Sequence, residues 1–392
     1  MEAALALSEL APESAHVTMI SPDPEFHYKP MVVAEPFTQE PAERHDLAPA
    51  LRELGADFVE EAAVGVDTGR HAVELADGPR VAYDFLLVAL GGRARPAFTT
   101  AETFWAGRSD MAIDELLGRA ADHPTRTLAF IVPPGCTWPL PLYELALMTR
   151  RRTQEGGPYG VRLCIHTPED APLAIFGEPA SEAVGNLLRG RGIELEAMQT
   201  VVEEDGELRI HPGGDALEAG AAIALPEIEG PALRGLPADE HGFVPVDLDL
   251  RVVGERDVYA AGDGTTFPVK QGGLATQQAD VAAEHIAARL GAAITPRSYD
   301  PVLRGQLITG PDSLNIQHHL TGGHGEGGAS LDYLWWPPGK VAGRYLAPWL
   351  AGTSLEYDLE PPSRPLDVEV SLPHEWHGTP MSMGSHRNPT KP

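Results

Sequence analysis

Val258-Tyr259-Ala260-Ala261-Gly262-Asp263 is the stretch of this sequence best suited to chemistry. A short apolar strand ends in Gly-Asp, a loop follows, and an Ala-rich helix is expected over 274–290. Glycine lets a ligand approach the backbone closely, and a helix N-terminus offers free N–H groups to an anion. The Asp263 carboxylate can accept a hydrogen bond from a sugar-like hydroxyl. The same two residues also suit a plain turn, so this stretch alone leaves both readings open.

The loop after a strand expected at 127–132 is the second place to look. A dinucleotide loop needs G-x-G-x-x-G directly after the strand, so that bare backbone meets the pyrophosphate. Here the positions hold Pro133, Pro134, Gly135, Cys136, Trp138, Pro139 and Pro141. Prolines remove N–H donors, and Trp138 fills the space a phosphate would need. NAD(P)H is therefore not expected in this block. The chain has two cysteines, Cys136 and Cys164, too few for a disulfide framework. Cys164, inside VRLCIH, reads as a packed core thiol.

These residues need a scaffold, and the pattern supplies one. Helix 2–10 (EAALALSEL) runs into an apolar strand at 16–20, and a helix and strand follow over 47–67. A hairpin-like stretch over 70–90 ends in YDFLLVALGG, whose apolar run suits a strand buried on both faces. Strands at 127–132, 161–166 and 193–197 alternate with helices at 139–152 and 181–190, and a further strand falls at 221–225. Such alternation implies α/β structure with two Rossmann-like, doubly wound, three-layer nucleotide-binding domains plus a C-terminal extension. The expected division is 1–105 with 255–292 for the first domain and 106–254 for the second. A C-terminal interface or lid region covers 293–352, and a disordered Pro-, His- and Ser-rich tail covers 353–392.

Composition narrows the function. The 392 residues are 43% hydrophobic and 22% charged, ordinary for a globular protein, but the formal charge is -28. So acidic a surface repels phosphate backbones, which argues against nucleic-acid binding. No run reaches the roughly 20 apolar residues of a membrane span, and the N-terminus lacks a basic signal region. The chain reads as cytoplasmic. Aromatic residues with Lys340 and Arg344 in 331–350 suit a peripheral contact with the inner face of a membrane, or equally a lid or homodimer contact. His318, His319 and His324 fall in a glycine-rich loop, and no metal site is expected.

The pair YDFLLVALGG (83–92) and DVYAAGD (257–263) resembles the two downstream fingerprints of FAD-dependent pyridine nucleotide–disulfide oxidoreductases. Order and spacing match over roughly residues 1–350. Ala89-Leu90-Gly91 stands at the A-T-G-type position, with Leu in place of Thr, and Asp263 with Gly262 at the Gly-Asp that holds the ribityl chain. Three further stretches are similar to sulfide:quinone reductases and type II NADH dehydrogenases. They are Pro24-Glu25-Phe26-His27-Tyr28-Lys29-Pro30, Gly272-Gly273-Leu274-Ala275-Thr276-Gln277-Gln278, and Ile131-Val132-Pro133-Pro134-Gly135-Cys136.

The resemblance implies FAD as cofactor, a small sulfide-like donor, and a quinone-like acceptor. It places Tyr28, Pro30 and Lys270 by the isoalloxazine and Gln277 and Gln278 by the acceptor. Cys136 is the redox thiol it implies, and Gly305 stands where the family pattern has a second cysteine. The family's first strand and glycine-rich loop, roughly fifteen to twenty residues, are expected to be missing ahead of helix 2–10. The competing reading is a non-catalytic, FAD-free remnant acting as a binding or structural protein.

Overall fold

The computed structural model describes residues 1–38, 41–105, 111–156, 160–309, 313–320, 328–335, 337 and 339–352. The tail expected at 353–392 lies outside them, as do His324, Trp336 and Pro338. Helix α1 (Glu2–Leu10) opens the first unit, followed by β1 (Thr18–Ser21), α2 (Leu47–Glu53) and β2 (Asp57–Glu60). An antiparallel trio, β3 (Ala63–Asp67), β4 (Ala72–Leu75) and β5 (Arg80–Ala82), leads into β6 (Leu86–Val88). The second unit runs β7 (Glu102–Thr103), α3 (Ile113–Asp122), β8 (Thr127–Ile131), α4 (Leu140–Gln154), β9 (Arg162–His166), α5 (Glu178–Gly190), β10 (Ile193–Glu196) and β11 (Ala221–Ala224). The chain then returns to the first unit with β12 (Val258–Ala260) and α6 (Gly272–Arg289). Another antiparallel trio, β13 (Val302–Ile308), β14 (Ser313–His319) and β15 (Gly328–Ser330), precedes the short helix α7 (Leu346–Ala351).

The second sheet is a five-stranded parallel sheet. Its strand order is β7-β11-β8-β9-β10, and every ladder is parallel. Central β8 reads TLAFI and is buried at all five positions: Leu128 and Phe130 share a core with α3, α4 and α5, while Ala129 and Ile131 pack with Phe98 and with Val201 of a short antiparallel sheet over 200–216. Glu102 and Thr103 of β7 pair with Ile223 and Ala224, so the second sheet recruits an edge strand from the segment assigned by sequence to the first domain.

The first sheet comes in two halves. β1 pairs with β2, Thr18 opposite Asp57 through Ser21 opposite Glu60, and β6 pairs with β12, Leu86 opposite Val258 through Val88 opposite Ala260. Both pairs are parallel, and among the described residues no ladder joins them. In the second unit the strand that precedes α4 and joins the two halves is β8; among the described residues the first unit has no such ladder beside α1. The cost shows in burial. Thr18 is exposed and the rest of β1 half-buried, whereas β8 is fully buried.

Helix α1 packs on α6, with Leu5, Ala6 and Leu7 in a core that holds Val281, Ala282, Ala283 and Ile286, while Ala4 packs with Leu47 and Leu51 of α2. Strand β13 packs on α4. A Cβ at Gly305 of β13 would lie 2.7 Å from Leu140 Cδ1 and 2.8 Å from Phe176 Cζ, so this crossing requires glycine. In the 331–350 stretch Trp335 and Tyr345 are buried, and Trp349 packs beside Phe26 and His45. Tyr333 is the exposed ring among the described residues there. No helix among the described residues is long and apolar enough to cross a membrane.

Candidate cofactor site at the ends of the first-unit strands

Strand β12 is buried throughout and delivers Ala261, Gly262 and Asp263 to the carboxyl edge of its sheet. The Ala261 N–H donates to Val88 O at 3.0 Å, locking the strand end to β6. Gly262 then turns through the left-handed region at φ +84°, a conformation costly for residues with a Cβ. Its N–H donates to Gln278 Oε1 at 2.6 Å. Its carbonyl accepts from the Thr265 N–H at 3.0 Å and Thr265 Oγ1 at 2.9 Å. The neighbouring turn at 89–91 is packed back to back with this one: a Cβ at Gly264 would sit 3.0 Å from Gly91 O. The structure thus brings Ala89, Gly91, Gly262 and Asp263 together, as sequence order implied.

Asp263 is half-buried, and among the described residues none donates a hydrogen bond to its carboxylate. Burial pushes its carboxyl up from the ordinary value, opposed by the charges of Lys270 and Lys29. Lys270 itself donates to Thr265 O at 2.6 Å and Phe267 O at 2.7 Å, and its Nζ lies 3.8 Å from the Phe243 ring centroid. Burial lowers its pKa to about 8, with Asp263 and Asp239 pulling the other way. Lys270 therefore braces the 265–267 loop and supplies a field to Asp263.

Tyr28 and Pro30 converge on the N-terminus of α6. A Cβ at Gly272 would lie 3.9 Å from Pro30 Cγ and 3.2 Å from Val341 Cγ2. Tyr28 Oη accepts from the Val341 N–H at 3.1 Å, and Lys340 Nζ donates to Pro30 O at 3.2 Å. Sequence reasoning missed the group that holds this corner. Glu144 of α4, fully buried, pairs with Lys340 at 2.6 Å and accepts from the Ile308 N–H at 2.8 Å. Burial pushes the Glu144 carboxyl up, opposed by Lys340. A lone acid inside the otherwise apolar LPLYELALM was the available signal.

The two glutamines are bonded to the protein's own backbone. Gln277 accepts from the Val302 N–H at 2.9 Å and donates to Val302 O at 2.8 Å, tying β13 to α6. Gln278, 2% exposed, carries the Gly262 bond already described.

The second unit offers a different picture. Cys136 follows β8, packed beside the main core with Trp138, and burial pushes its thiol up to about 12, helped by the Glu169 charge. Cys164 is likewise raised to about 12 by burial. In a dinucleotide-binding unit an acid after the second strand takes the ribose hydroxyls. Glu169, in the loop after β9, instead accepts from Tyr143 Oη at 2.7 Å and Thr167 Oγ1 at 2.9 Å. Burial raises its carboxyl as well.

The fold has counterparts among solved structures. The sulfide:quinone oxidoreductase of Aquifex aeolicus superposes with a TM-score of 0.74 at 20% identity, over 84% of each chain. The chain has the fold of the FAD-dependent pyridine nucleotide–disulfide oxidoreductases. The ferredoxin reductase of the CYP199A2 system of Rhodopseudomonas palustris shares it at TM-score 0.58 and 18% identity, over 80% of this chain and 78% of that one. Putidaredoxin reductase, in its covalent complex with putidaredoxin, matches at 0.58 and 16%, over 81% and 78%. No family model matches the chain.

Proposed function

We propose that this chain is an FAD-dependent oxidoreductase. The observation that carries the reading is Asp263: a half-buried carboxylate on a braced turn, open to a donor, and set beside the 89–91 turn. That arrangement fits the hydroxyls of a ribityl chain. FAD, when bound, takes an electron pair from a donor and hands it to an acceptor. Asp263 and Gly262 would hold the ribityl and phosphate part. Tyr28, Pro30 and the N-terminus of α6 would border the ring system, where Lys340, paired with Glu144, holds the Pro30 carbonyl and Tyr28 holds the Val341 N–H.

The donor we propose is a small sulfide-like reductant and the acceptor a quinone-like molecule. Two observations support a donor other than NAD(P)H: the proline-rich loop after β8, and the Glu169 carboxylate already bonded to Tyr143 and Thr167. A disulfide relay through Cys136 needs a thiolate and a second cysteine. Its thiol is held protonated by burial, and Gly305 leaves no room for a side chain. The reductant is therefore proposed to act on the flavin without such a relay.

The test is reconstitution with FAD, followed by anaerobic addition of sulfide or NADH while the visible spectrum is read. Flavin bleaching by sulfide and not by NADH supports the reading, and the reverse order overturns the donor assignment. The split first sheet favours a second reading, a chain that folds without flavin and serves as a binding protein. A colourless protein that takes up no added FAD would establish that one instead.

A further inference from the structure

We propose that Gln278 is a positioning residue for FAD, acting through the Gly262 amide on the Asp263 carboxylate. This rests on the FAD reading above. Gln278 lies 16 residues beyond Gly262, on the buried face of α6, and its Oε1 accepts the Gly262 N–H at 2.6 Å. A buried amide side chain is costly unless it is paired, and a leucine would fill the same space without that cost. The pairing made here fixes the 261–262 peptide, the plane on the near side of the left-handed Gly262 turn from which Asp263 departs. Helix α6 presses on the same turn, since a Cβ at Gly262 would lie 3.3 Å from Ala275 Cβ.

The surrounding groups hold the far side of the turn and leave the 261–262 peptide to Gln278. Thr265 holds the Gly262 carbonyl, and Lys270 holds the Thr265 and Phe267 carbonyls. The aspartate's own carboxylate receives no hydrogen bond among the described residues, so its aim depends on the backbone beneath it. Removing the Gln278 acceptor leaves the Gly262 N–H buried and unpaired and frees the 261–262 peptide to rotate.

The experiment is FAD titration of the apoprotein by flavin fluorescence, with Gln278→Leu, Asp263→Asn and the double variant arranged as a cycle. Gln278→Leu should weaken FAD binding by roughly 5- to 150-fold, the range expected for one orphaned buried donor. In the double variant the loss should be no greater than in Asp263→Asn alone, and the visible circular dichroism of the bound flavin should change in both single variants alike. Losses that multiply would show that Gln278 does not act through Asp263 and would overturn the proposal. So would an unchanged affinity in Gln278→Leu. If Gln278→Leu fails to fold, Gln278→Asn, whose amide stops one methylene short of Gly262, decides by the same criteria. A wild-type chain that binds no FAD overturns the flavoprotein reading itself; a wild type that binds while Gln278→Leu binds equally overturns only this inference.

Discussion

Glu144 and Lys340 stand 196 positions apart in the chain and meet as a buried ion pair that joins α4, β13 and the Tyr28–Pro30 corner. Glu144 is fully buried and Lys340 nearly so, which makes each dependent on the other. Removing one partner of such a pair costs about 3–5 kcal/mol, because the remaining charge is left without compensation. Lys340→Met should therefore destabilise strongly in urea denaturation. Combining it with Glu144→Gln should recover a large part of the loss. A single variant as stable as wild type would show that the pair is not closed in solution.

A second buried pair makes stability depend on pH. The Glu2 and Asp280 carboxyls hydrogen bond each other, Glu2 also accepting from the Tyr345 and Leu346 N–H groups at 2.8 and 2.7 Å. Burial raises both, Asp280 well above its ordinary value, while the Met1 amino group faces Glu2 and Arg297 and Arg344 face Asp280. The native state thus holds more protons than the unfolded chain. Stability from this pair is complete below the unfolded carboxylate value and falls as pH rises through the raised folded values. Asp280→Asn should flatten the decline of melting temperature from acid towards neutral pH; an unchanged slope would remove the pair as its source.

Gly305 is the tightest point between β13 and the second unit. Gly305→Ala forces a methyl group against Leu140 and Phe176, both buried, and should cost about 1–3 kcal/mol by overpacking. Denaturant melts would check this. A neutral effect would mean that β13 can move away from α4.

Cys136 should be slow to alkylate. A thiol at about 12 is almost wholly protonated at neutral pH, and the thiolate is the nucleophile. Iodoacetamide labelling followed by mass spectrometry should show slow modification that accelerates with pH. In the same spirit, Cys136→Ser should keep sulfide-dependent flavin reduction. Rapid labelling or abolished reduction would restore a thiolate role.

Local signals were legible in the sequence, and remote partners were not. Gly262, Asp263 and the 89–91 turn were readable because glycine at a strand end has a local reason to be there. Helix α6, expected over 274–290, is found at Gly272–Arg289, and the α/β alternation gave the second sheet. Gln277 and Gln278 could be placed on that helix, but the groups they bond, Val302 and Gly262, depend on how α6 packs. The Glu144–Lys340 pair follows from tertiary packing alone. Strand β7 is two residues long and pairs across units, beyond what periodicity can resolve.

The bond from Glu2 to Leu346 spans 344 positions, which places the anchor of the first helix almost at the far end of the described chain. On the ribosome, α1 emerges 344 residues ahead of its polar partner. Until then a helix with four buried apolar residues and an acid meant for burial has no lasting contact there. Closing so long a loop is slow, and apolar surface stays exposed meanwhile. The apolar face of α1 therefore stays uncovered until α6 is made, and its acid stays unpartnered until Leu346 follows.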